Sequence, residues 1–153
     1  MSKLLQTIPV PCPYHLARQF MADELRKPLD KPGVMKVRVS LGGIDVAKDV
    51  LATVTEGSDP MHFDQPWKVH WSPIGGGPYP DFDGEITVRA DEDYKTCLLE
   101  LQGEYRPPGG ALGGAFDAVV GNKIAAATAR ELLEQIARDL VSRYQSNEAA
   151  KRT

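Results

Sequence analysis

The sequence predicts an α+β fold in which a curved antiparallel sheet wraps around one long C-terminal helix. Two observations predict it. Between residues 34 and 105, apolar residues recur at every second position in short runs separated by turns, the pattern of strands with one dry and one wet face. From soon after Gly114 to about Ser146 the period changes to 3.6, which describes a single amphipathic helix. Some 30 residues of helix span roughly 45 Å. A helix that long cannot sit on a sheet edge, so it is expected to lie across the whole inner face.

Leu4–Ile8 is the first short strand. Pro13 suits the first turn of a helix, where its missing N–H costs nothing. Leu16, Ala17, Phe20, Met21 and Leu25 then share one helical face. Lys27-Pro28 ends that helix, and "DKPG" at Asp30–Gly33 reads as a turn. "VMKVRVSL" sets Met35, Val37, Val39 and Leu41 on one side of a strand, with Lys36, Arg38 and Ser40 on the other. Gly42-Gly43 turns the chain into a strand rich in β-branched residues, Val50–Glu56. "GSDP" breaks it, and "WKVHW" places Trp67, Val69 and Trp71 together, opposite Lys68 and His70. "SPIGGGPYP", Ser72–Pro80, is a loop. "FDGEITVRA" aligns Phe82, Ile86 and Val88, and "YKTCLLELQGEY" aligns Cys97, Leu99, Leu101 and Tyr105. The last helix carries an apolar stripe of Ala125, Ala129, Leu132, Leu133, Ile136, Leu140, Val141 and Tyr144.

At 153 residues the chain suits one domain with a real core, expected over residues 1–146, with 147–153 as a polar, frayed tail. The formal net charge of -3 argues against nucleic-acid binding, which wants a basic face. No stretch reaches the ~20 apolar residues of a membrane span, and Pro9, Pro11 and Pro13 interrupt the apolar N-terminus. A cytoplasmic location is expected. Cys12 and Cys97 lie in no CxxC pattern and read as small buried side chains. His15, His62 and His70 show no metal-ligand spacing; His62 and Asp64 could face one way, but two groups do not make a metal site. Neither a metal nor a cofactor is expected.

"YRPPGGALGGAFD", Tyr105–Asp117, joins a strand to a helix and tests as a phosphate loop. Gly109 and Gly114 have Walker A spacing, but Ala115 and Phe116 stand where lysine and a hydroxyl belong, and Ala111 breaks a dinucleotide fingerprint. The stretch reads instead as a sharp corner, with Asp117 a favourable charge in the first helical turn.

"YPDFDGEITVR", "LELQGEYRPPGGALGGAFD" and "ATARELLEQIARDL", taken in that order, resemble the SRPBCC superfamily, the START-like or Bet v 1-like helix-grip proteins, and among them small bacterial members of unassigned function. The likeness covers about residues 34–146 and is most specific at the strand-to-helix turn. It implies an apolar cavity between the C-terminal helix and the sheet. It also implies that the cavity takes a lipid, sterol, hormone or quinone, or serves a polyketide aromatase or cyclase. No catalytic residue carries over.

The residues expected to line such a cavity are Trp67, Val69, Trp71, Phe82, Leu99, Leu101, Tyr105, Ala129, Leu133 and Ile136, with Tyr79 at its lip. Each has a plainer reading as core packing, which inward aromatic residues do in any case. No GxSxG, Cys–His pair or carboxylate pair marks a catalyst, and His15 is the titratable group to watch. The first reading is a non-enzymatic protein that binds a small hydrophobic or amphipathic molecule, driven by apolar burial at about 25 cal/mol per Å². The second is a polyketide cyclase or aromatase using the same cavity. The third is a homodimer formed through a sheet edge or helix face.

Overall fold

The computed structural model describes residues 2–26, 33–41, 44–55, 67–74, 81–92, 95–106 and 118–151. Strand β1 is Ser2–Val10 and helix α1 is Tyr14–Arg26. Strands β2 (Gly33–Leu41), β3 (Ile44–Thr55), β4 (Trp67–Pro73), β5 (Asp81–Ala90) and β6 (Cys97–Arg106) follow, and helix α2 is Ala118–Lys151. The strands form one six-stranded sheet in the order β1-β6-β5-β4-β3-β2, and every neighbouring pair is antiparallel. β2 to β6 is thus a meander. β1 returns to the far edge beside β6, pairing Ser2 with Tyr105 and Val10 with Cys97.

The α+β class, the antiparallel sheet and the long closing helix are as the periodicity predicts. Three strands run longer than expected. β4 continues through Ser72 and Pro73, which the sequence assigns to a loop, because they pair with Leu51 and Val50 of β3. β1 extends beyond Leu4–Ile8 in both directions because β6 offers it a partner at each step. β3 starts at Ile44 rather than Val50, since its first residues pair with the end of β2, Ile44 with Leu41. "IDVAKD" shows no clean alternation, so a pairing partner and not its own pattern makes it a strand.

α2 also runs past its expected end near Ser146 and takes in Asn147–Lys151. Nothing in "NEAAK" stops a helix, and its glutamate, alanines and lysine are good helix formers. Lys151 lies 3.5 Å from Glu148 and carries its charge at the helix C-terminus, where it is favoured.

α2 comes nearest to β1, β2 and β6. These include both edges of the sheet, so the sheet curls around the helix and its edges hold it. The middle strands reach toward the helix with large side chains. Trp67, Val69, Trp71, Phe82, Ile86, Val88, Leu99, Leu101 and Tyr105 from β4–β6 are buried, as are Ile124, Ala125, Ala129, Leu132, Leu133 and Leu140 from α2. α1 adds Ala17 and Met21. The alternation in β4 is strict: Lys68 and His70 are exposed between the three buried residues.

The middle of this packing is built on glycine. Gly84 and Gly103 face each other across β5 and β6. A Cβ on either would collide with the Phe82 ring and with the backbone of the opposite strand. The Phe82 ring therefore lies over the pair where side chains would otherwise stand. Trp71, its partner on β4, stacks on it with ring centroids 4.1 Å apart and planes 14° from parallel. Such a stack adds about 1 kcal/mol beyond the area it buries.

Candidate functional site

The space between the sheet and α2 follows from these placements. Of the residues expected to line it, Trp67, Val69, Trp71, Phe82, Leu99, Leu101, Tyr105, Ala129 and Leu133 are buried on the inward side, and Ile136 is partly buried against the same core. Tyr79 and the 75–80 loop, the 107–117 corner, and His62 with Asp64 lie outside the described residues. Trp71, Phe82, Leu99, Leu101, Ala129 and Leu133 have no exposed surface at all. In this conformation no water-sized void touches those six, and their side chains close on one another.

Phe82 makes two specific contacts beyond its burial. Its tip covers the glycine pair and its ring is stacked on Trp71, so it supports the indole. Trp71 carries the one buried side-chain polar atom without a hydrogen-bond partner among the described residues, its indole Nε1. Buried indole N–H groups usually find an acceptor. The other buried polar residue, Thr128, donates its hydroxyl to the Ile124 carbonyl one helical turn back, at 2.8 Å.

At the Trp67 end of β4 the packing meets α1. The guanidinium of Arg18 lies over the Trp67 ring, 5.3 Å from its centroid, and 5.9 Å from the centroid of Tyr14. Tyr14 and Arg18 are four residues apart and so share one helix face. The Arg18 side chain is half-buried. A second arginine, Arg143 of α2, lies 5.4 Å from the Phe20 ring centroid and donates to the Phe20 carbonyl at 3.1 Å. Sequence reasoning passed over Arg18 because it followed only the apolar face of α1. The tyrosine and arginine at i and i+4 were the signal that could have found it. His15 is exposed on α1.

Burial raises the pKa of both thiols. Burial and the nearby Cys12 push Cys97 up to about 12, and burial also lifts Cys12. Both cysteines are free and act as small apolar side chains.

An open trough of about 890 Å³ crosses the opposite, outer face of the sheet, over the row where Leu4, Gly103, Gly84 and Val69 are successive partners. Lys3, Lys68, His70, Asp83, Glu85 and Glu104 stand around it. His70 Nδ1 and Asp83 Oδ1 are 2.7 Å apart, with half or more of each side chain in water. Charges of both signs in such exposure interact weakly, and an apolar ligand there would stay wet. The inner face is the better candidate.

No protein-family model matches the chain, and no curated protein matches it. Solved structures do. TTHA0849 from Thermus thermophilus is 12% identical with a TM-score of 0.53, over 92% of this chain and 98% of its own. An uncharacterised protein from Bacillus thuringiensis is 12% identical with a TM-score of 0.50, over 92% and 99%. The Zhui aromatase/cyclase from a Streptomyces species is 13% identical with a TM-score of 0.50, over 93% and 94%. No described helix is long and apolar enough to cross a membrane. The identities are low and the shared feature is architecture. The curled six-stranded sheet, the early helix and the long helix gripped between the sheet edges give this chain the helix-grip fold of the START-like and Bet v 1-like (SRPBCC) proteins.

Proposed function

We propose that the protein binds a small hydrophobic or amphipathic molecule between the inner face of β4–β6 and α2. The observation that carries this reading is the placement of α2. Its nearest approaches are to β1, β2 and β6, so what separates it from β4 and β5 is side chains. Side chains can move apart where paired backbones cannot, and pockets between packed elements are where apolar ligands bind. Trp67, Val69, Trp71, Leu99, Leu101, Tyr105, Ala129, Leu133 and Ile136 would line the opened space, with Phe82 beneath Trp71 and Tyr79 at the lip. Two free, buried thiols suit the reducing cytoplasm in which we place this protein.

A cyclase or aromatase reading draws on the likeness to Zhui. Cyclisation needs groups that move protons. Among the residues whose burial is described, no carboxylate, imidazole or lysine is buried. The buried groups able to move a proton are the Tyr105 phenol and the Cys12 and Cys97 thiols, and burial raises the pKa of both thiols. We therefore favour binding over catalysis.

Native mass spectrometry of the purified protein, with solvent extraction and titration of an apolar fluorescent dye, tests the proposal. A bound apolar species or saturable dye binding is expected, together with a higher melting temperature. A protein that binds no apolar probe and does not shift in melting temperature refutes it.

A further inference from the structure

Two polar groups near the inner side of β4 have no protein hydrogen-bond partner among the described residues. The first is Arg18. Its guanidinium lies 5.9 Å from the centroid of the Tyr14 ring and 5.3 Å from that of Trp67, and among the described residues no carboxylate or carbonyl accepts from it. Arg143 shows the contrast, since it too lies over an aromatic ring but donates to a backbone carbonyl. Aromatic faces hold a guanidinium by its flat side and leave its in-plane N–H fork free, and that fork matches a carboxylate. The second is the Trp71 indole N–H, fully buried and without an acceptor. Trp67 and Trp71 are on one face of one strand, four residues apart. At the usual rise this sets them about 13 Å from each other.

We propose that the ligand is an amphipathic organic acid whose carboxylate is taken by Arg18 at the Trp67 end, and whose body carries a neutral oxygen that accepts the Trp71 N–H. The proposal rests on the inner-face binding reading above and adds the polarity and orientation of the molecule. The acid end lies where α1 meets β4 and the side chains are half-buried, so the charge need not be fully dehydrated. The apolar body lies inward, where residues without exposed surface surround it. The separation of about 13 Å between the two tryptophan positions along β4 matches the span of a medium-chain fatty acid.

The test uses three probes: dodecanoate, its methyl ester, and a keto dodecanoate with the carbonyl near the chain end. Their affinities are measured by calorimetry for the wild-type protein and for Arg18→Gln, Arg18→Lys and Trp71→Phe, each checked by circular dichroism and melting temperature. Wild type is expected to bind the acid at least tenfold tighter than the ester. Arg18→Gln weakens acid binding far more than ester binding and so erases that preference, and Arg18→Lys restores part of it. The keto acid binds severalfold tighter than dodecanoate, and Trp71→Phe removes the gain. Equal binding of acid and ester by wild type overturns the proposal, as does a preference that survives Arg18→Gln. So does equal binding of the keto and parent acids. In those cases ester binding still supports an apolar site. Failure of all three probes, the neutral ester included, overturns the binding reading and this proposal together.

Discussion

Gly84 and Gly103 are where a single methyl group matters most. Each would drive a Cβ into the Phe82 ring and into the opposite backbone, and backbone cannot step aside as a side chain can. Gly84→Ala and Gly103→Ala are each expected to destabilise the fold by about 2–4 kcal/mol, the range for overpacking with backbone shift, read from urea midpoints. Cys97 gives the residue scale a pH signature. Its folded pKa is raised from 9.0 to about 12, so the folded protein keeps a proton that the unfolded chain gives up. Stability linked to it is full below pH 9.0 and falls as pH rises toward 12. The urea midpoint should decline across that window and decline less in Cys97→Ala. Individual side chains differ in how openly the sequence shows their roles. The alternation in "WKVHW" marks Trp67 and Trp71 as inward. Nothing in "DFDGE" says that Phe82 lies on glycines from two strands, because the second glycine arrives with β6 and its register.

Among the elements, α2 carries the clearest energetic asymmetry. Leu133 is without exposed surface, and Leu133→Ala should cost about 2–5 kcal/mol. Arg130 is exposed and pairs with Glu134 at 3.1 Å, so Arg130→Ala should move stability by no more than about 0.5 kcal/mol. Denaturation of the two variants side by side checks both values. The helix was legible because its stripe, Ala125 to Tyr144, repeats for more than five turns and needs no partner to be seen. The ends of elements were not. β3 borrows its first residues from pairing with β2, and α2 continues through a polar segment that has no stop signal. The candidate site divides the same way. Its apolar side is a periodicity, readable from one strand at a time. Its polar end at Arg18 exists only because α1 and β4 meet there.

At the scale of the whole molecule, binding and stability are one measurement. A ligand that fits only the folded protein stabilises it by about 2.7 kcal/mol at a hundred times its dissociation constant. The melting temperature expected to rise in the dye experiment should therefore keep rising with ligand concentration. A rise that levels off early would point to a ligand that also binds the unfolded chain. Part of any such gain is spent in parting α2 from the middle strands, so affinity for a given apolar area should fall short of what transfer energies give.

The pairing of β1 with β6 has a consequence for how this chain comes into being. β1 is made before the meander, yet its partner is β6, the last strand of that meander. While the ribosome supplies everything between, Leu4, Ile8 and Val10 have no sheet to join. The meander from β2 to β6 can zip as it emerges, hairpin upon hairpin, but the N-terminal strand must wait until Cys97–Arg106 is complete. Closure is thus a late, long-range event, and contacts of this kind slow folding. Until it happens β1 remains an apolar strand without its partner.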